Sequence, residues 1–256
     1  MPEQRFHTPE PAELEIRVPT GDIDVETIEG DESTIELDGD EKLIELTDVR
    51  QEGRRIVVEL KGKKPFGITI SIGDFSFGST SLRVRARVPH HSRVELATAS
   101  ADMKLRGVIN ALDVKSASGD LSHFGEIEGN AAVKTVSGDA RIERVGGELR
   151  VQTVSGDVNA TYVGGSVMSK SVSGDVRVDS VREGSVNAQS VSGDIEIGVA
   201  PGTKLDVDAG SVSGDLMSEI PLGSQPESFD NFDNGDGPTL VVRGKTVSGD
   251  FRVFRG

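Results

Sequence analysis

The residues of this sequence with the most regular spacing for chemistry are aspartates. Seven close a Ser-Gly-Asp phrase and an eighth closes the related Ser100-Ala101-Asp102; the phrases recur every 18 to 21 residues, except for a last step of 35. The eight carboxylates are Asp102, Asp120, Asp139, Asp157, Asp175, Asp194, Asp215 and Asp250. Carboxylates on the turns of stacked repeats can hold Ca²⁺, but Ser and Asp also accept backbone N–H bonds in ordinary turns. One carboxylate per repeat is a thin coordination shell, so we predict a structural turn ladder and no metal site.

A second candidate is a strand with three arginines on one face. Within residues 82–88, apolar residues alternate with Arg83, Arg85 and Arg87. Because side chains alternate across a strand, the three guanidinium groups share its outward face. That face could bind an acidic partner or phosphate. It could also pair with the acidic N-terminal strands, and this interpretation is favoured because residues 1–52 carry 17 acidic and only 4 basic side chains.

The sequence carries no convincing catalytic or metal-binding motif. It has no phosphate-binding Gly-Lys loop, no His-Glu-x-x-His and no nucleophile elbow. His90 and His91 are adjacent in a turn, but a metal site needs a third converging ligand. The aspartates between residues 230 and 236 fail the EF-hand spacing, because Phe232 occupies a ligand position. We predict no enzyme, no cofactor and no metal, and keep as an alternative a hydrolase or transferase site at the N-terminal junction.

The elements that position the aspartates are short strands. In residues 147–165, Leu149 and Val151 alternate with polar residues, the Ser-Gly-Asp turn follows, and Val158 and Ala160 alternate again. Each repeat therefore consists of strand, turn, strand and turn, with Gly expected to supply a positive φ in the Ser-Gly-Asp turn. One such unit cannot bury its apolar side alone, whereas stacked units can. The predicted fold is all-β: a β-solenoid of stacked two-strand rungs of 18–21 residues, preceded by a β-rich N-terminal region.

The repeated phrase S-V-S-G-D-V-x-V, preceded by LRVRARVPHHSRVELATASADMKL (Leu82 to Leu105), resembles the bacterial putative-adhesin family of unknown function. That family is grouped with the toast-rack solenoids and with head domains of some autotransporter adhesins. The likeness covers residues 80–256 and extends toward the N-terminus through VPTGDIDV (Val18 to Val25). It implies a β-solenoid, carries no settled catalytic motif, and connects some relatives with cell-envelope stress responses. Most relatives have a signal or membrane segment, and this chain departs from that pattern.

The sequence divides into two predicted regions. Residues 1–80 form an acidic β-rich N-terminal region, which ends in an apolar flap at Lys61 to Thr80 that we expect to cap the solenoid; docking a partner or a membrane surface is its other interpretation. Leu43 to Val49 fits a strand or a helical turn, and a strand is favoured. Residues 81–256 form the solenoid, with an inserted loop at 225–238. The rings of Phe251 and Phe254, near the end of the chain, are expected to cover its last rung.

Composition limits the function. The net charge of −15 disfavours nucleic acid and anionic membrane surfaces as partners. No stretch has the apolar length of a signal peptide or membrane span, so we expect a cytoplasmic protein without direct membrane insertion. The leading hypothesis is a non-enzymatic scaffold that presents the turn ladder, the arginine face or the loop to a protein partner. The alternatives are an end-to-end assembling structural protein, homo-oligomeric through the solenoid ends, and a soluble component of an envelope stress response.

Overall fold

A computed structural model describes residues 3–61, 82–219 and 237–256. Almost all of its regular structure is β, as the alternating apolar pattern of the sequence requires. The first half comprises β1 (Glu3–His7), β2 (Glu13–Arg17), β3 (Asp22–Ile28), β4 (Glu32–Gly39), α1 (Glu41–Leu46), β5 (Thr47–Glu52), β6 (Arg55–Leu60), β7 (Leu82–Pro89), β8 (Ser92–Ala97) and β9 (Asp102–Lys115).

The second half continues the same pattern with shorter strands. It comprises β10 (Leu121–Ile127), β11 (Ala131–Lys134), β12 (Ala140–Val145), β13 (Leu149–Gln152), β14 (Val158–Val163), β15 (Val167–Lys170), β16 (Val176–Val181), β17 (Gly184–Gln189), β18 (Ile195–Val199), β19 (Lys204–Ser211), β20 (Leu216–Ser218), β21 (Thr239–Thr246) and β22 (Phe251–Arg255).

The strands form two hydrogen-bonded stacks that enclose one core. The first stack runs β1-β4-β7-β3-β9-β10-β12-β14-β16-β18-β22-β20, and the second runs β5-β6-β2-β8-β9-β11-β13-β15-β17-β21-β19. Pairing is parallel except for β1–β4, β4–β7 and β5–β6. The long strand β9 belongs to both stacks and contains Gly107 at φ 104° between its two paired halves. From β9 onward, each rung is one strand of the second stack, a Ser-Gly-Asp turn, and one strand of the first.

The core is built in columns that run from rung to rung. Leu149 and Val151 of β13 pair with Val167 and Ser169 of β15, and all four side chains are buried. The residues between them are exposed, because successive side chains of a strand point to opposite faces. Each buried aliphatic side chain contributes about 1.5–3 kcal/mol relative to exposure. The predicted β-solenoid of stacked two-strand rungs is confirmed.

At both ends of the solenoid the rungs depart from chain order. The β2–β3 rung lies between β6–β7 and β8–β9. The β21–β22 rung lies between β17–β18 and β19–β20. The expectation that the rings of Phe251 and Phe254 cover the last rung was therefore wrong, because both belong to β22, which lies one rung inside β20. Phe251 is buried there, and Phe254 is partly exposed beside the guanidinium groups of Arg177 and Arg252. The 35-residue step of the phrase joins the turn of the outer rung, at Ser213, to the turn of the rung one inside it, at Ser248.

The N-terminal end has a different construction. The segment Leu43 to Val49, for which a strand was favoured, is divided: it is helix α1 through Leu46 and strand β5 from Thr47. The helix begins where the Asp40 carboxylate accepts bonds from the N–H groups of Lys42 and Leu43 at 2.9 and 3.3 Å. Leu43 is buried on the core side of this helix. Strands β2 and β3 pair with β7, β8 and β9, so the two predicted regions share one continuous sheet system. The predicted flap beyond Lys61 and most of the 225–238 loop lie outside the described residues.

Candidate functional site: the Ser-Gly-Asp edge and the arginine strand

The eight predicted ladder aspartates lie in one row along an edge of the solenoid. The backbone N–H of each aspartate after Asp102, the first of the row, donates to Oδ1 of the aspartate one rung before it, at 2.8 to 3.1 Å. The row follows spatial order: Asp102, Asp120, Asp139, Asp157, Asp175, Asp194, Asp250, Asp215. Each of these bonds is charge-assisted, which offsets the repulsion between neighbouring carboxylates.

The serine and glycine of each phrase also take part in hydrogen bonds that fix the turn. Ser155 Oγ donates to the Val136 carbonyl of the preceding rung at 3.3 Å, and Gly156 N–H donates to Thr153 Oγ1 at 3.0 Å. The expected positive φ was wrong, because none of the Ser-Gly-Asp glycines is among the positive-φ glycines. Glycine is needed for close approach instead. A Cβ on Gly156 would lie 2.1 Å from the Gly138 carbonyl oxygen.

A shallow groove of about 250 Å³ lies beside the aspartate row on the outer face of the first stack. Its lining includes Asp157, Asp175, Arg177, Asp194 and Glu196. Arg177 donates to Asp179 at 2.7 Å and also to Glu196, and these bonds raise the pKa of its guanidinium. The positive charge of Arg177 in this groove is therefore already paired with the carboxylates of Asp179 and Glu196. Among the described residues, no group of three or more His, Asp or Glu side chains is arranged to hold a metal ion.

Beside the aspartates runs a row of exposed valines, which we call the valine ridge. It consists of the residue preceding Ser-Gly-Asp in successive rungs: Val136, Val154, Val172, Val191, Val247 and Val212. These valines are 43 to 81% exposed. Sequence reasoning missed them because valine in a strand repeat suggests core. The available signal was the alternation of the strand. Gln152 points outward and Thr153 points inward, so Val154 is expected to point outward again.

The arginine strand β7 lies between two acidic strands. Arg83 pairs with Asp22 of β3 at 2.9 Å, and Arg87 pairs with Glu26 of the same strand at 3.2 Å. Arg85 pairs with Glu36 of β4 at 3.5 Å. The hydrogen bond to Asp22 raises the pKa of Arg83. All three arginines, predicted as a possible partner face, thus already have carboxylate partners, although their side chains keep substantial exposure.

The histidines do not converge. His90 Nδ1 lies 2.7 Å from Thr27 Oγ1, and His91 Nδ1 lies 2.7 Å from Glu128. His123 was overlooked: it stands in a core column between Leu105 and Ile142 and is 2% exposed. Burial lowers the pKa of His123 to about 4, against the opposing influences of Glu143 and the Gly107 backbone.

Solved structures share this architecture, and two of them come from Parabacteroides distasonis ATCC 8503. One, described as a "putative lipid binding protein", has a TM-score of 0.62 at 14% identity, covering 98% of this chain and 96% of the other. The second, described as a "putative adhesin", has a TM-score of 0.55 at 13% identity, with the same coverages. At these identities the likeness shows the fold alone.

The family of the chain follows from its sequence and its fold together. No curated protein matches the sequence. No helix in residues 3–61, 82–219 and 237–256 combines the length and the apolarity that crossing a membrane would require. The sequence matches the family described as Toastrack DUF4097 over residues 12–254, nearly its whole length. A Ser-Gly-Asp ladder, a parallel two-stack solenoid and this match lead to one conclusion: the chain belongs to the Toastrack DUF4097 family.

Proposed function

We propose that this protein is a non-enzymatic, adhesin-like scaffold that binds a protein partner along its Ser-Gly-Asp edge. The observation that carries the proposal is the valine ridge beside the aspartate row, with both rows repeating at the rung spacing of about 4.8 Å. Contiguous exposed apolar side chains on a soluble protein mark interaction sites. The partner surface that fits would combine apolar contacts with basic groups facing the carboxylates.

The rigidity of the edge supports this role. Every aspartate of the row, except the one at its end, accepts a hydrogen bond from a backbone N–H of the following rung. Every ridge valine is followed by a serine whose hydroxyl donates to a carbonyl of the preceding rung. A surface that is already ordered loses little conformational entropy on binding. The description of one structural neighbour as a "putative adhesin" is consistent with the proposal but is said of that protein.

The test replaces ridge valines by threonine, which keeps the branched shape and the strand preference but adds a hydroxyl. The V154T/V172T/V191T variant and the wild type are immobilised, and proteins captured from a lysate of the source cells are identified. We expect the triple variant to lose a partner that the wild type retains, and Met168→Gln, which alters an exposed residue on the second stack, to retain it. Retention of every partner by the triple variant would refute the proposal, as would turnover of a small molecule.

A partner in an envelope stress response and a cytoplasmic location both stay predictions. Fractionation of the source cells with an antibody to the protein tests the location. End-to-end assembly is less well supported, because the two ends of the solenoid differ. The N-terminal end carries the antiparallel strands β1 and β5 and the helix α1, whereas the opposite end, within the described residues, is a bare parallel rung.

A further inference from the structure

The outermost rung at the far end has a strand with a partner on one side alone. Among the described residues, β19 pairs with β21 and with no other strand. Lys204 N–H donates to the Pro238 carbonyl at 2.9 Å and Val212 N–H to the Thr246 carbonyl at 3.3 Å. Because a parallel ladder uses alternate residues on each side, the N–H and C=O groups of Leu205, Val207 and Ala209 face away from β21.

The inward side chains of β19 are incompletely covered. Leu205, Val207 and Ala209 pack against the core but remain only partly buried. In the next rung inward, Leu240 and Val242 stand in the same columns and are fully buried. A further strand on this edge would therefore remove apolar surface from water and satisfy backbone groups at the same time.

The outward side chains of β19 carry charge that indicates which strand would fit. Asp206 and Asp208 alternate with Leu205 and Val207, as Asp24 and Glu26 alternate with Ile23 and Val25 in β3. The protein itself shows what such a strand binds. Strand β3 pairs in parallel with β7, and the register sets Asp22 opposite Arg83, Asp24 opposite Arg85 and Glu26 opposite Arg87.

A second copy of this chain is a poorer occupant of the edge. Antiparallel pairing of two β19 strands about Val207 would set Asp206 of each strand opposite Asp208 of the other, and like charges directly opposite are destabilising. Within residues 3–61, 82–219 and 237–256, the strand with three arginines in this alternation is β7, and it is already paired on both sides, with β3 and β4. The free edge thus has a charge pattern that repels itself and attracts a basic strand.

We propose that the free edge of β19 binds an extended segment of another protein in which apolar residues alternate with arginine or lysine. The segment would add as a parallel strand, its apolar residues completing the columns of Leu205 and Val207 and its basic residues pairing with Asp206 and Asp208. This surface is separate from the valine ridge, so the two proposals stand or fall independently.

The test uses a fluorescein-labelled synthetic peptide, SLRVRARVP, whose alternation is that of β7, and the full-length protein. Fluorescence anisotropy should show saturable binding that weakens as salt is raised. D206N/D208N should weaken binding about tenfold, since it removes two cross-strand opposite-charge pairs. E126Q/E183Q, which removes two exposed charges elsewhere, should leave binding unchanged.

Two further probes separate strand addition from loose charge attraction. A peptide of the same sequence with N-methyl groups on alternate residues lacks the ladder donors and should not bind. Val207→Pro removes a donor on the free edge and leaves the bonds to β21 in place, so it should also abolish binding. V154T/V172T/V191T should bind the peptide as wild type does.

Several outcomes would overturn the proposal. They are absence of saturable binding, binding that survives both D206N/D208N and Val207→Pro, and equal binding of the N-methylated peptide. Sedimentation that shows a dimer of the free protein, dissociated by D206N/D208N or Val207→Pro, would assign the edge to a second copy instead.

Discussion

At the scale of single residues, the glycine of each turn is determined by how closely the rungs approach. The Cβ that alanine would add at Gly156 meets the Gly138 carbonyl oxygen at 2.1 Å, and the turn is held in place by the Gly156 N–H bond to Thr153. We expect Gly156→Ala to destabilise the fold by about 2 kcal/mol or more, because the clash is with backbone and not with a movable side chain. Urea unfolding of the variant and the wild type measures this difference in the free energy of unfolding.

The matched control for this prediction is Gly210→Ala. Gly210 lies in β19 with nothing within 4 Å of a built Cβ and without a positive φ. Alanine there should change stability little and favour the strand slightly through lower unfolded-state entropy. Equal effects of the two substitutions would show that close approach is not what selects glycine in the turns.

The buried histidine gives the fold a specific sensitivity to acid. His123 has a folded-state pKa of about 4, below its unfolded value of about 6.5. Well above pH 6.5 the His123 side chain is neutral in both the folded and the unfolded chain, so its titration takes nothing from the free energy of unfolding. As the pH falls from 6.5 to 4 the unfolded chain binds a proton that the folded chain does not, and about 3 kcal/mol is lost.

The measurement compares wild type with His123→Leu, which places in this column the residue found one rung earlier at Leu105. Carboxylates titrate in both proteins, so the difference between their pH–stability curves isolates the histidine. We expect that difference to grow below pH 6.5 and level off near pH 4. Parallel curves throughout would mean that His123 is accessible to protons in the fold.

At the scale of elements, the position of a rung in the stack decides what its side chains contribute. Leu240 of β21 and Leu205 of β19 share one column, but Leu240 is fully buried and Leu205 is only partly so. We expect Leu240→Ala to cost about 2–5 kcal/mol and Leu205→Ala roughly half as much. Denaturant unfolding of both variants tests the interleaved order, since stacking in chain order would reverse the ranking.

The rungs were predictable and their order at the ends was not. The two-residue alternation at Leu149, Val151, Val158 and Ala160 predicts strands and an enclosed core from local chemistry. At the far end the order was hidden because successive rungs carry the same phrase, so the sequence specifies that rungs stack without specifying which ones are neighbours. The helix α1 was missed because Asp40 serves as an N-cap in a segment too short for a clear helical period.

Repetition in the sequence also explains why only part of the candidate site was predicted. The aspartate row follows from repetition alone, because residues at one position of a stacked repeat must align. The valine ridge does not follow from composition, since Val154 at the turn and Val158 in the core are the same residue type in different backbone positions. His123 was visible in principle: it interrupts a column between two apolar residues, Leu105 and Ile142.

At the scale of the whole molecule, the two ends of the solenoid have opposite character. Strands β1 and β5 at the N-terminal end are rich in charge, and Arg50 of β5 bonds to Asp48, Glu52 and Glu59. Such edges resist the addition of another strand. At the far end of the described chain, β19 instead leaves its inward apolar side chains Leu205 and Val207 incompletely covered. Growth by head-to-tail stacking is therefore disfavoured, and a binding partner at one end is the arrangement that the asymmetry supports.

The whole molecule carries a net charge of −15 and a row of eight carboxylates. Its stability in different salts therefore distinguishes general screening of charge repulsion from binding of a cation at a specific site. Each carboxylate of the row, apart from Asp215 at its end, has one oxygen that accepts a hydrogen bond from a backbone N–H of the next rung, so few oxygens are left to bind a cation.

We expect CaCl₂ and NaCl of equal ionic strength to raise the unfolding midpoint of the protein equally, by screening charge repulsion. A calcium site with a Kd of about 0.1 mM would instead add about 2.3 kcal/mol at about 5 mM free calcium. Thermal unfolding in the two salts decides between these, and a calcium-specific rise that Asp157→Asn and Asp175→Asn abolish would make the aspartate row a cation-binding ladder.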